Sequence, residues 1–547
     1  MTAIPRLVVA APASGHGKTA IAVGLIAALA GRGLTVTGFK IGPDYVDAGY
    51  LGLASGRPGR NLDPILQGID RIAPLFMHGA QCSDIAVIEG TMGLYDGLTG
   101  RTDGESTAQV AGLLKAPVIL VIDVGAMGQS VAAVVHGFRA FDELLWLGGV
   151  VLTRVVSDRH EQVLREALDD IGVPVLGMVR RNTLTALPNR SLGVAPVVDR
   201  TTEAVRAVRR LGSTIASSVD LDRVVALARS APALPGSAWS PAEALARIVP
   251  GIRRERTRVL LPPEALASQA GPQPVSSQPA GQASPAMLGA MANATLAAAA
   301  SVASPVSPAG TAGPAASVSP AAGDTGSATE STDSAPRRAP SPPEPPVTDR
   351  PVVALAGGPT FSYSYPETTE LLVAAGAEVV PFDPLRDEQL PEGTRALVFG
   401  GAFPELYADE LSANEPLCRA VHELAISGGP IAAETTGLLW LVKEFDGRPM
   451  SGVLNARATT SNSVVVGYRE AVARASSPLV RLGATVVGYK SHRTVVTPRC
   501  GDNAAWQWRN GQPEGFVWRK VHASYLNLHW AGYPEIAKRF LAAISAP

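Results

Sequence analysis

Ala11-Pro12-Ala13-Ser14-Gly15-His16-Gly17-Lys18-Thr19 follows the apolar run Leu7–Ala10 and leads into a stretch with Ile21, Leu25 and Leu29 at helical spacing. Strand, glycine loop, Lys-Thr and helix together describe a phosphate cradle. Gly15 and Gly17 let the backbone come close to an anion, and the first helical turn points its N–H groups at it. In such a loop Lys18 reaches the outer phosphates and the Thr19 hydroxyl holds Mg²⁺. Ser14, Gly15, His16, Gly17, Lys18 and Thr19 are therefore the candidate nucleotide-binding residues. The full pattern asks for glycine five residues before Gly17, where this chain has Pro12. The loop reads as a shortened cradle; the bland alternative is an ordinary glycine-rich strand-to-helix turn.

The chain has 547 residues, enough for two or three domains with separate cores. A formal net charge of −1 implies no general affinity for nucleic acid or acidic membranes. Cys82, Cys418 and Cys500 lie far apart and form neither a disulfide framework nor a metal motif, which suits a reducing compartment. The N-terminus lacks the basic and apolar regions of a signal peptide. No apolar run reaches the roughly 18 residues that span a bilayer. A cytoplasmic location without membrane contact is the expectation.

From about Pro262 to Asp349 the composition shifts to Ala, Pro, Ser, Gly and Thr with almost no aromatic residue. Such a segment buries too little apolar surface to offset ordering, so it reads as a disordered linker. Its reach, if flexible, is about 50 Å. The division is a P-loop domain over 1–261, a linker over 262–350 and a second domain over 351–547. Before the linker, strand candidates are Leu7–Ala10, Thr35–Phe39, Ile85–Glu89, Val118–Asp123, Gly149–Leu152 and Val175–Val179. Their nearly continuous apolar character suits a parallel sheet covered on both faces. Strands resume at Val352–Ala356, Glu378–Phe382, Ala396–Phe399 and Ile431–Ala433. The fold class is α/β in both halves.

Open α/β sheets bind ligands at the carboxyl ends of their strands. Asp44 follows the second strand candidate and Glu89 closes the third. A carboxylate there, facing a phosphate loop, holds Mg²⁺ directly or through water. Lys18, Asp44 and Glu89 are the candidate catalytic residues, and Thr19, Asp44 and Glu89 the candidate metal set. Each acid taken alone equally suits a solvated loop, and Lys40 alone reads as a surface lysine.

Ala13-Ser-Gly-His-Gly-Lys-Thr19, Phe39-Lys-Ile-Gly-Pro-Asp-Tyr-Val-Asp47, Gly56-Arg-Pro-Gly-Arg-Asn-Leu-Asp63, Glu89-Gly-Thr-Met-Gly-Leu-Tyr-Asp-Gly97 and Ser157-Asp-Arg-His160 occur in that order. Together they resemble the cobyrinate or hydrogenobyrinate a,c-diamide synthases of cobalamin biosynthesis. The resemblance covers essentially the whole chain outside the linker. It implies a dethiobiotin-synthetase-like P-loop domain followed by a class I glutamine amidotransferase-like domain. It also implies a ligase that phosphorylates the a- and c-acetate carboxylates of a corrin acid with ATP and Mg²⁺, ammonia then displacing phosphate. By position, Tyr45, Asp47 and Asp96 fall on the substrate side. Two departures sit in this half. Thr153 stands where similar proteins have the Asn of Leu-Asn-Arg, a position that contacts the nucleotide. Ser191 replaces a histidine.

The second half is similar to the family's glutaminase domain through Ala356-Gly-Gly-Pro-Thr-Phe-Ser-Tyr-Ser-Tyr-Pro-Glu367, Gly400-Gly-Ala-Phe-Pro-Glu405, Leu411-Ser-Ala-Asn414 and Gly467-Tyr-Arg-Glu-Ala471. There a cysteine on a tight elbow attacks glutamine, a histidine activates it, and backbone N–H groups hold the oxyanion. This chain reads Ala433-Glu-Thr435-Thr436-Gly at the elbow and Tyr525-Leu-Asn527-Leu-His529-Trp where the base belongs. Thr435 occupies the nucleophile position and Asn527 the base position, Ala402 replaces an oxyanion-side glycine, and Tyr489 to His492 replace a further histidine motif. A hydroxyl is a weak nucleophile without a base in reach. A β-branched residue also suits the positive φ of an elbow poorly. The expected nitrogen source is free ammonia or ammonia from a separate glutaminase, with His529 or His492 at a relocated site as the rival. A homodimer fits the class. Two further readings stay open: a corrinoid- or nucleotide-binding regulatory homologue that has lost catalysis, and a partitioning-type P-loop ATPase.

Overall fold

The computed structural model describes residues 3–97, 106–190, 193–199, 201–247, 350–401, 404–508 and 511–545. The expected linker, Arg350 apart, lies outside the described residues, as do the departures at Ser191 and Ala402.

The first half is a seven-stranded sheet, β1 (Arg6–Ala10), β2 (Val36–Ile41), β3 (Arg60–Leu62), β4 (Ile85–Glu89), β5 (Val118–Asp123), β6 (Leu147–Val155) and β7 (Val175–Arg180). Their order is β3-β2-β4-β1-β5-β6-β7, and every pairing is parallel. β1 is wholly buried because strands flank it and helices cover both faces. Helix α1 (Lys18–Gly31) is more than half covered: Ile21, Ala22, Val23, Leu25, Ile26, Ala28 and Leu29 are all buried. The helix Thr201–Ser218 packs over the side that the sheet leaves open. The contact is tight at Gly24, where a Cβ would sit 2.4 Å from Ile215 Cγ1. This second layer explains why the apolar pattern runs round α1 instead of along one stripe.

After β2 come α2 (Tyr45–Ser55), then, beyond β3, the single turn α3 (Pro64–Gln67) and α4 (Ile69–Gly79). Asp44 caps α2 and Asp63 caps α3, each accepting two backbone N–H groups. Gly68 links α3 to α4 at φ 91°, a conformation that other residues resist.

The second half builds its own sheet in the order Glu378–Phe382, Val352–Ala356, Thr394–Phe399, Ile431–Glu434, Val521–Ser524, Phe516–Trp518, with only the last pairing antiparallel. A further, mixed sheet is dominated by two long antiparallel strands, Leu454–Ala473 and Thr485–Thr497. The two halves are docked, and one apolar core runs from residues of the first sheet to residues of the last helix, Glu535–Ser545. Among the described residues no helix is long and apolar enough to cross a membrane.

Candidate active site

Strand register assembles the site. Lys40 of β2 lies beside Glu89 of β4, Glu89 beside Val9 of β1, and Asp123 of β5 beside Thr153 of β6. All stand at the carboxyl ends of their strands, where α1 begins. Gly15 and Gly17 both take φ 89°, and Gly17 caps α1 without a side chain, leaving the first N–H groups open to an anion. Lys18 is only 9% exposed. Burial lowers its affinity for the proton and Lys40 adds to this, while Glu89 and Asp47 oppose both. A desolvated ammonium beside a second cation gains from any anion placed next to it.

Glu89 is fully buried. Its Oε1 accepts from the Thr19 hydroxyl at 2.5 Å and from Lys40 Nζ at 2.8 Å, and Lys40 also reaches Asp47 Oδ2 at 2.6 Å. Lys40, which alone reads as a surface lysine, is 3% exposed and stands at the centre of the site. Burial by itself would push its ammonium down; the carboxylates of Asp47, Glu89 and Asp44 push it up and prevail. Burial drives the Glu89 carboxyl upward against the pull of Lys40. Glu89 Oε2 has no hydrogen-bond partner. A partnerless carboxylate oxygen next to the Thr19 hydroxyl fits Mg²⁺, which takes oxygen ligands and keeps several waters.

The remaining expected residues divide. Asp47 belongs to the Lys40 ion pair. Asp44 is exposed and spends Oδ1 on the α2 backbone, at 2.8 Å from Val46 N and 3.0 Å from Asp47 N; no hydrogen bond joins it to Thr19 or Glu89. Asp96 is exposed in the loop after β4, its Oδ2 accepting from Gly93 N at 2.9 Å. Two more of the expected residues make contacts within the protein. Thr153 is 2% exposed and donates to the His16 carbonyl at 3.2 Å, so it props the phosphate loop from beneath. His16 Nδ1 accepts from Asp123 N at 3.0 Å, which fixes the loop from the other side. Tyr45, expected on the substrate side, turns to the second domain. Its ring stacks on Tyr363 with centroids 4.8 Å apart, and its hydroxyl donates to Asn527 Oδ1.

In the second domain the strand Ile431–Glu434 ends on Thr435, which holds φ 52°. The strained elbow is kept even though a β-branched residue now occupies it. Thr435 Oγ1 is buried without a hydrogen-bond partner. Gly401 lies so close that a Cβ there would sit 2.2 Å from that oxygen. Asn527, in the base position, donates its amide to Glu434 Oε2 at 3.0 Å and accepts from Tyr45. An amide is too weakly basic to take a proton at neutral pH. His529 is fully buried, its Nε2 accepting from Gln67 Nε2 at 2.8 Å, and burial pushes it down to about 3. His492 stacks on Tyr525 at 3.7 Å and donates Nδ1 to Thr494 O at 2.9 Å; burial likewise lowers it to about 3. Both imidazoles are neutral, and neither forms a hydrogen bond to Thr435. Thr435→Gly is expected to stabilise the chain by about 1 kcal/mol, since it relieves the positive φ and removes a stranded hydroxyl. Equilibrium denaturation checks this; a loss of stability would show that the threonine packs better than it strains.

The domain junction escaped sequence reasoning. Arg60 donates to Glu367 Oε1 at 2.6 Å and pairs with Glu370, which also meets His78 Nε2 at 2.9 Å. Tyr468 donates to Asp63 Oδ2 at 2.6 Å. Ile65, Leu66, Tyr365 and Tyr468 form a small apolar cluster of their own around these contacts. Arg60, Asn61 and Asp63 lie in the quoted Gly56–Asp63 motif, the one available signal.

Residues 7–194 match the CobQ/CobB/MinD/ParA nucleotide binding domain. Residues 352–534 match the CobB/CobQ-like glutamine amidotransferase domain. The chain is 48% identical to the hydrogenobyrinate a,c-diamide synthase of Streptomyces coelicolor, covering 99% of this chain and 97% of that one. Identity to the enzyme of the same name from Thermobifida fusca is 41%, with 99% and 97% covered. The cobyrinate a,c-diamide synthase of Synechococcus is 32% identical, with 98% of each chain covered. The chain belongs to the a,c-diamide synthase family, with a P-loop nucleotide-binding half and a glutamine amidotransferase half.

Proposed function

We propose that this protein is an ATP-dependent amide ligase acting on the a- and c-acetate carboxylates of a corrin acid, with free ammonia as its nitrogen source. The relatives of 40–48% identity are named for the cobalt-free acid, which favours hydrogenobyrinate over cobyrinate. One observation carries the reading. The Lys18, Thr19, Lys40 and Glu89 group is complete at the mouth of the glycine loop, whereas Thr435 and Asn527 leave the second domain without nucleophile or base.

The chemistry follows from charge. A carboxylate oxygen attacks the γ-phosphorus and ADP leaves; ammonia then attacks the acyl carbon and inorganic phosphate leaves. Lys18 and Lys40 offset the charge on the moving phosphoryl group, and the loop N–H groups of Gly15 to Lys18 orient it. Thr19 and Glu89 are the residues that would hold Mg²⁺, which would offset the negative charge of the phosphates when bound. Asp47 holds Lys40 in place, and Thr153 with Asp123 holds the loop. Asp44 and Asp96 keep exposed carboxylates at the rim, placed to orient cations there. The domain division at 1–261, 262–350 and 351–547 stands as part of this proposal.

An acyl-phosphate route moves one substrate oxygen into phosphate. With the corrin carboxylates labelled with oxygen-18, inorganic phosphate should carry one labelled oxygen per amide formed. Unlabelled phosphate alongside amide product would refute the intermediate.

A further inference from the structure

The second domain has lost its glutaminase chemistry yet keeps a buried acid beside a small cavity at the domain junction. The cavity measures about 20 Å³. Its walls include Tyr363, Ser364, Tyr365, Glu434, Asn527 and Trp530. That is room for a single molecule the size of water, which needs roughly 10–15 Å³ on the same measure. Glu434 is 7% exposed. Its carboxylate accepts from Asn527 Nδ2 at 3.0 Å and Leu528 N at 3.1 Å on Oε2, and from Trp530 Nε1 at 3.1 Å on Oε1. None of these donors carries a charge, and among the described residues Glu434 has no ion pair. A buried carboxylate without a cation is costly. With no cation present, burial raises its pKa to about 7.

A buried carboxylate whose three donors are uncharged, a one-molecule cavity and four aromatic residues in its wall describe the receptor of a small cation. Aromatic rings attract cations through their quadrupoles, and a carboxylate oxygen with a spare lone pair accepts an N–H. We infer that this cavity is an ammonium-binding site with Glu434 as its counter-ion. The inference rests on the ligase reading, in which free ammonia supplies the nitrogen, and it says where that nitrogen is first held. The location suits the role. Asn527, part of the cavity wall, accepts from Tyr45, and Tyr45 opens α2, whose Asp47 pairs with Lys40 in the ligase centre. The cation fills the space that a larger amine cannot enter.

The test is titration of the full-length protein with ¹⁵N-ammonium chloride, read by NMR of the bound ammonium, with potassium chloride and methylammonium chloride as competitors. Wild type is expected to bind ammonium saturably and to prefer it over both competitors. Glu434→Gln, which removes the charge, and Ser364→Val, which fills the cavity without touching the partners of Glu434, are each expected to weaken binding at least tenfold. Affinity for adenine nucleotide should stay unchanged in both, which also reports that the variants are folded. Absence of saturable binding to wild type, unchanged binding in both variants, or equal binding of potassium would each overturn the inference. Ammonium binding together with no amidation would sink the ligase reading and leave the site standing. Amidation without this binding would do the reverse.

Discussion

Lys18→Ala is expected to lower ATP-dependent amidation by about a thousandfold or more, the scale on which a single transition-state cation acts in phosphoryl transfer. Lys18 sits at the first position of α1, mostly buried, with Lys40 as its neighbouring cation and Glu89 on the opposite side. Removing it leaves the phosphoryl charge facing a loop of uncharged N–H groups and one remaining lysine already committed to two carboxylates. Lys40 therefore does not replace it. The fold should survive, because the alanine fits the start of a helix and no buried acid loses its only partner: Glu89 keeps Thr19 and Lys40. Steady-state amidation with saturating ammonium and ATP checks the prediction. Turnover within tenfold of wild type would remove the loop from the catalytic machinery.

The second large effect concerns docking. Arg60→Ala should cost about 3–5 kcal/mol, because it strands a buried carboxylate. Glu367 has 1% of its side chain exposed, and its main charge partner is Arg60, which opposes the upward push of burial on its pKa. His529 lies 3.8 Å from the other Glu367 oxygen but is held neutral, so it supplies no charge. The loss should appear in denaturation as earlier release of the second domain, since Arg60 belongs to β3 and Glu367 to the helix Pro366–Ala374. Replacing Arg60, Glu367 and Glu370 together by leucine should recover most of it. A change of less than about 1 kcal/mol for Arg60→Ala would mean that the pair is solvated in the working protein.

These two sites differ in how well the sequence announces them. The glycine loop, Lys18 and Thr19 are legible because one local pattern places them, an apolar strand, two glycines at positive φ and a helix start, and Glu89 because it closes an apolar strand. The six long apolar strands of the first sheet are legible for the same reason. β3 is not, since Arg60-Asn61-Leu62 looks like loop and becomes a strand through partners far away. Asn61 donates to the Gly42 and Asp44 carbonyls, each at 2.8 Å, and Arg60 finds its acids some 300 residues on. Lys40 is ambiguous for a similar reason: only register with β4 reveals that it is buried between Asp47 and Glu89. The long antiparallel pair Leu454–Ala473 and Thr485–Thr497 carries small and hydroxyl residues with weak alternation, and its pairing is non-local. Thr435 and Asn527 stand out in the sequence as replacements. What the structure adds is their new employment: Asn527 ties Glu434 to Tyr45, which bridges two domains at a position where the family's pattern has a base.

The most direct measurement supplies ATP, Mg²⁺ and a corrin acid with either ammonium or glutamine, and reads the corrin by mass. With ammonium, each converted carboxyl should lose one mass unit and two conversions should occur. With glutamine in place of ammonium, the acid should remain and no glutamate should appear. Amidation driven by glutamine with matching release of glutamate would contradict the account at its centre.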